Sequence, residues 1–168
     1  MNETLLANHL GALAVRLLDT VSQTSALSDS SRALLETLRF HAPLPATRLA
    51  AIAGLSQPAT QRALDRLRDD GLVHWPDTGR TRPADLTPEG LRRADDLVAT
   101  RDDVLRQATS ALSAAEQAQL APLLAKMLTT LTPSPEAARH MCRFSDHALC
   151  DGPACPVDTR ARALSETP

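Results

Sequence analysis

Apolar residues recur at helical spacing from the start of the chain. In NETLLANHLGALAVRLLDTVSQ they fall at Leu6, Leu10, Leu13, Leu17 and Val21, one stripe of an amphipathic helix. The stripe suits a core face and a dimer-interface face equally. A second stripe, Leu34, Leu35 and Leu38, follows Ser28 or Asp29 as capping residue. Pro43 and Pro45 stop that helix, because proline lacks an N–H and clashes with a preceding carbonyl.

The pattern then shortens in ATRLAAIAGLSQPATQRALDRLRDDGLVHW. A short helix, Thr47 to Ala53, runs into Gly54, a residue that adopts the positive φ of a helix C-terminus. Ser56 caps a new helix, with Pro58 in its first turn, where a missing N–H matters least. That helix runs to about Asp70 and ends at Gly71. Two short helices joined by a glycine-containing turn predict a helix-turn-helix. Thr60, Ala63, Leu64 and Leu67 share its core face, and Gln57, Pro58, Gln61, Arg62 and Asp65 share the opposite one.

GLVHWPDTGRTRPADLTPEG changes character. Leu72 to Trp75 predicts a short strand, PDTGRT a turn, and Arg82 to Leu86 a returning strand, with Pro83 at an edge or bulge. From Pro88 the period is helical again. One long helix carries Leu91, Ala94, Leu97 or Val98, and Leu105. The next begins at a capping-box-like Ser113-x-x-Glu116, carries Leu120, Leu123, Leu124, Met127 and Leu131, and contains Pro122 as a possible bend. TPSP, at 132–135, closes the helical body.

The fold class is therefore mainly α with a small β-wing: a winged helix-turn-helix plus a helical dimerisation module. The expected division is 1–26 and 87–132 for dimerisation, 27–86 for DNA binding, and 133–168 for a cysteine-containing tail. Composition agrees. The 168 residues are 43% hydrophobic but only 2% aromatic, a mix that favours helix over sheet. No charged-then-apolar leader and no membrane-length apolar run appears, so the expectation is a soluble cytoplasmic protein with no membrane partner. The net charge is −2, so nucleic-acid binding must come from a local basic face.

Over roughly 28–110 the chain resembles the MarR family of winged helix-turn-helix transcription regulators. The resemblance rests on LA-x-x-x-GLS-x-x-x-x-x-R-x-x-DRL-x-x-x-GL, then a wing and LT-x-x-G. It implies a homodimeric regulator, expected to be a repressor, on pseudo-palindromic double-stranded operator DNA, with one recognition helix per half-site in the major groove. Carried over, Ser56, Gln57 and Pro58 open the recognition helix at a phosphate. Gln57 and Gln61 face base edges, and Arg62 meets a phosphate or guanine. Arg80 takes the wing position that reaches the minor groove, and Arg82 contacts backbone phosphate. Asp77 and Arg80 are separated by Thr78 and Gly79, wider than the family's commoner Asp-x-Arg. Family members also respond to small aromatic acids. This chain has no Tyr, one Trp and two Phe, which gives such a ligand little to stack on.

All three cysteines lie in the tail HMCRFSDHALCDGPACPVD, as Cys142, Cys150 and Cys155. The tail resembles a Cys-Arg-x-Cys-Asp … Cys-Pro-Val ending of some family members, with Ser145 where a fourth thiol would complete C-x2-C-x4-C-x4-C. Three readings follow. Cys142, Cys150 and Cys155 hold an iron–sulfur cluster, with His147, His140, Asp146 or Ser145 as fourth ligand. Or they hold zinc as a structural clip. Or the thiols act bare, with Arg139, His140 and Arg143 lowering the Cys142 pKa. In each, Asp, Gly and Pro are expected to make loop-like backbone. No enzyme is expected: there is no Gly-rich phosphate loop and no Ser-His-Asp or Cys-His-Asp order.

Overall fold

The computed structural model describes residues 2–23, 25–75, 83–146, 150 and 152–166. Eight helices and a two-stranded sheet follow in the order α1 (Glu3–Gln23), α2 (Asp29–His41), α3 (Ala46–Ala53), α4 (Gln57–Asp69), β1 (Val73–His74), β2 (Asp85–Leu86), α5 (Pro88–Ser110), α6 (Ala114–Thr130), α7 (Pro135–Met141) and α8 (Pro156–Ser165). The main core lies among α2, α3, α4, the strands and the first half of α5. Leu34, Leu35, Leu38, Leu49, Leu64 and Leu67 are its largest fully buried apolar side chains.

Local chemistry sets the helix ends. Ser28, not Asp29, caps α2, its hydroxyl accepting the Ser31 N–H at 3.2 Å. Ser56 does the same for α4 through the Ala59 N–H at 3.3 Å. Gly54 (φ 70°) and Gly71 (φ 72°) supply the left-handed turns that end α3 and follow α4. The capping box of Ser113 and Glu116 opens α6, which then continues through Pro122. The buried face of α4 is Thr60, Ala63, Leu64 and Leu67, as the period predicts.

The sheet pairs β1 with β2 antiparallel, Val73 opposite Leu86 and His74 opposite Asp85. A third segment joins it: Leu44 bridges Ala84, with N–H to carbonyl distances of 3.0 and 2.7 Å. The sequence reading took Pro43 and Pro45 only as helix terminators and missed that Leu44, held between them, extends the sheet. The close junction of β1 with α5 is also nonlocal. The Thr87 N–H donates to the Leu72 carbonyl at 3.1 Å, and its hydroxyl donates to the Gly71 carbonyl at 2.7 Å.

The long helices are less covered. α1 packs along α5, yet Leu6, Leu10 and Leu13 remain exposed. On α5, Ala94 and Leu97 are buried, Val98 is half-buried, and Leu91 and Leu105 are exposed. No residue of α6 is buried. Among the described residues no helix is long and apolar enough to cross a membrane.

The tail departs from expectation. Two further helices flank the cysteine stretch, so TPSP does not close the helical body, while the described residues between them are turns, bends and one 3-10 turn. Ser134 accepts the Ala137 N–H at 3.1 Å and caps α7. Pro135 and Pro156 each open a helix, the position where proline is tolerated because that N–H has no intrahelical partner. A second small core of Ala138, Cys155 and Val157, with Met141, Cys142, Cys150 and Ala161 packed against it, holds the two helices together.

Candidate nucleic-acid interface and thiol cavity

Burial of one face of α4 fixes what the other presents. Ser56, Gln57, Pro58, Gln61 and Arg62 are all exposed. Pro58 has no N–H, and Ser56 takes those of Ala59 and Thr60, which leaves the Gln57 N–H at the positive end of the helix, a polarity suited to phosphate. The Gln61 amide donates to Asp65 at 3.2 Å. Asp65 and Asp69 pair with Arg68, at 3.5 and 3.2 Å. Arg62 has no ion pair among the described residues, so its charge is available to a ligand. The Arg68 guanidinium also lies 5.6 Å from the centre of the Trp75 ring. This cation–π contact ties the base of the hairpin to α4, and the sequence reading assigned Trp75 no such part. Asp77, Arg80 and Arg82 lie outside the described residues, as does His147.

The tail brings its cysteines to one place. Cys142 follows the last turn of α7, and the Ser145 N–H folds back onto its carbonyl at 3.0 Å. The Cys150 N–H donates to the Asp146 carbonyl at 3.2 Å. Cys155 caps α8, its sulfur accepting the Asp158 N–H at 3.4 Å. Cys142, Ser145, Cys150 and Cys155 thus line one cavity of about 330 Å³ between α7 and α8, rimmed by Arg139, Asp158 and Arg162.

The cavity does not activate Cys142. Burial, reinforced by the neighbouring Cys155 and Cys150, pushes the Cys142 thiol up to about 11. The expected lowering by Arg139, His140 and Arg143 is therefore reversed, because those side chains are engaged elsewhere. Arg139 pairs with Glu136 at 3.7 Å. His140 Nδ1–H donates to the Ile52 carbonyl at 2.9 Å. Arg143 donates to the His140 carbonyl at 2.6 Å and lies over Phe144 at 4.3 Å. Among the described residues no group of three His, Cys, Asp or Glu side chains is arranged to hold a metal ion.

Arg143 also faces Glu36, a carboxyl buried on α2. Desolvation raises the Glu36 pKa against the pull of Arg101, Arg32 and Arg143. A carboxyl with a raised folded-state pKa favours folding fully below the ordinary carboxylate range, and loses that contribution as pH rises through the raised value. The stability difference between the wild type and Glu36→Gln is therefore expected to shift in favour of the variant as pH rises above that range. Urea unfolding of both proteins across mildly acidic to neutral pH measures it.

A family model described as winged helix-turn-helix DNA-binding matches residues 27–74. Solved structures share the fold over most of the chain. A MarR-family regulator from Silicibacter pomeroyi is 26% identical, with 76% of this chain and 87% of that one covered and a TM-score of 0.55. A MarR family protein from Bacillus stearothermophilus is 20% identical, with coverage of 77% and 92% and a TM-score of 0.66. MepR, a transcription regulator of the Staphylococcus aureus multidrug efflux pump MepA, is 19% identical, with coverage of 78% and 99% and a TM-score of 0.64. A comparison with curated protein sequences found no match. Residues 27–74 are a winged helix-turn-helix DNA-binding domain. Over most of its length the chain's fold is the one seen in solved MarR-family regulators.

Proposed function

We propose that the protein is a homodimeric repressor that reads pseudo-palindromic operator DNA through α4 and responds to the state of its tail thiols. The observation that carries the DNA reading is the exposed face of Gln57, Gln61 and Arg62 on a helix whose other face is locked into the core. In this reading Ser56 and Pro58 seat the helix N-terminus against phosphate, Gln57 and Gln61 pair with base edges, and Arg62 takes a phosphate or guanine. Arg80 and Arg82 complete the contact from the wing. An electrophoretic shift with the chain's own promoter region tests this; no binding to any fragment in any redox state rejects it.

The apolar faces of α1 and α6 support the dimer. Leu10, Leu13, Leu124, Met127 and Leu131 are exposed in the single chain, and large apolar side chains exposed along two helices call for a partner. A second copy, related by a twofold axis, covers both faces and sets the spacing of two α4 helices. Leu124→Asp is expected to yield a monomer by light scattering and to abolish the operator shift.

For the tail, three thiols in one cavity provide the soft donors common to iron–sulfur clusters and zinc. Among the described residues they are not set in a ligating arrangement. The metal form of the reading is an iron–sulfur cluster, alternatively zinc, on Cys142, Cys150 and Cys155 with Ser145 or His147. Iron, sulfide and zinc analysis of protein purified without oxygen decides it, and a metal-free protein leaves a thiol sensor. One observation favours the alternative input, a small aromatic acid: a cleft of about 380 Å³ among α2, β2 and α5, lined by Arg39, Phe40 and Leu91. Operator release by an aromatic acid but not by thiol reagents selects that reading.

A further inference from the structure

The described helices make a chain of contacts that does not follow the sequence. α6 packs on α8, α8 packs on α7, and α7 packs on α3. The tail therefore stands between a helix with an uncovered apolar face and the first helix of the helix-turn-helix.

At its far end the contact is specific. His140 Nδ1–H donates to the Ile52 carbonyl in the last turn of α3, at 2.9 Å. Its ring lies against Gly54: a Cβ at that glycine would stand 2.7 Å from His140 Cε1. Gly54 is the left-handed residue that ends α3, and the next N–H, of Leu55, folds back to the Ala50 carbonyl at 3.0 Å. This short turn sets the direction in which α4 leaves α3. The histidine thus touches the turn where the absence of a side chain at Gly54 admits it.

At its near end lies the thiol cavity. Cys142 directly follows α7, its N–H bonded back to the Ala138 carbonyl at 2.9 Å, two residues beyond His140. Cys155 caps α8 from the other wall. Cys142 stands on the α7 wall and Cys155 on the α8 wall, so a group that links these thiols constrains α7 relative to α8.

We infer that α7 and α8 form a strut between the dimer helix α6 and the helix-turn-helix turn, with the thiol cavity as its joint and His140 as its bearing on the turn. The inference rests on the proposed DNA-binding and thiol-sensing function for its consequence, and on the contacts above for its existence. A ligand at the joint changes DNA affinity only as far as it favours one arrangement of the strut over the other.

The experiment uses the full-length protein in three forms: wild type, His140→Ala and His140→Gln. The glutamine amide keeps a donor toward the Ile52 carbonyl. Each is studied with free thiols and after saturation with phenylmercuric acetate, which replaces a thiol proton by a mercury–sulfur bond. Hydrogen exchange over 46–56 reads the turn. His140→Ala is expected to speed exchange of the Leu55 N–H by about tenfold, with partial protection in His140→Gln. Mercuration is expected to speed it in the wild type and to add nothing in His140→Ala. In parallel, mercuration is expected to change wild-type operator affinity about fivefold or more, and His140→Ala to remove that change. Exchange over 46–56 that ignores both His140→Ala and mercuration overturns the strut. So does a mercuration effect on affinity of equal size in wild type and His140→Ala. Failure of the function reading looks different: no fragment binds, or mercuration leaves wild-type affinity unchanged, while exchange at the turn still decides the strut.

Discussion

Gly90→Ala is expected to unfold with about 3 kcal/mol less stability than the wild type, at an unchanged urea m-value. A Cβ at this position would stand 1.8 Å from the Leu72 carbonyl oxygen and 2.8 Å from its carbon. Neither atom is the end of a flexible side chain. The Leu72 carbonyl accepts the Thr87 N–H at 3.1 Å, and the Thr87 hydroxyl both donates to the Gly71 carbonyl at 2.7 Å and accepts the Gly90 N–H at 3.0 Å. Retreat of either segment therefore breaks the cap of α5 and its tie to β1. The opposing effect is the helix propensity of alanine over glycine, about 1 kcal/mol, which the steric conflict outweighs. The sign is the test: a variant more stable than the wild type shows that α5 and the start of β1 separate at no cost.

Arg62→Ala is expected to weaken operator binding about tenfold to a hundredfold, while leaving stability within about 0.5 kcal/mol. Stability is spared because Arg62 is exposed on α4 and has no ion pair among the described residues. Arg68 is the contrast: it is committed to Asp65, Asp69 and the Trp75 ring, so its loss loosens the base of the hairpin as well. Salt titration separates the two partners proposed for Arg62. A phosphate contact lowers the slope of log affinity against log salt by about one and weakens all sequences alike. A guanine contact relaxes specificity at one base pair. Operator affinity unchanged in Arg62→Ala removes the residue from the interface.

The exposed side of α4 was legible because two local rules meet there. Ser56 and Gly54 mark where the helix begins, and the spacing of Thr60, Ala63, Leu64 and Leu67 marks which face is inside. The exposed set follows by subtraction. The tail was less legible. Pro135 and Pro156 read as breakers, yet each sits at a helix start, and the same residue type signals both. Arg139, His140 and Arg143 read as neighbours that lower the Cys142 pKa. Proximity in sequence did not place their charges at the sulfur, and burial among other thiols raised that pKa instead.

The sequence by itself determined the caps, the left-handed glycines, the helical periods and the helix-turn-helix, because each depends on residues within a turn or two of one another. Only the tertiary structure decided which distant surfaces meet. Leu44 pairs with Ala84. Gly90 admits the Leu72 carbonyl. His140 reaches Ile52 across 88 residues of sequence. The thiols share a cavity because α8 folds back on α7. Such contacts form only where several buried faces are satisfied together, and no short stretch of sequence carries that condition.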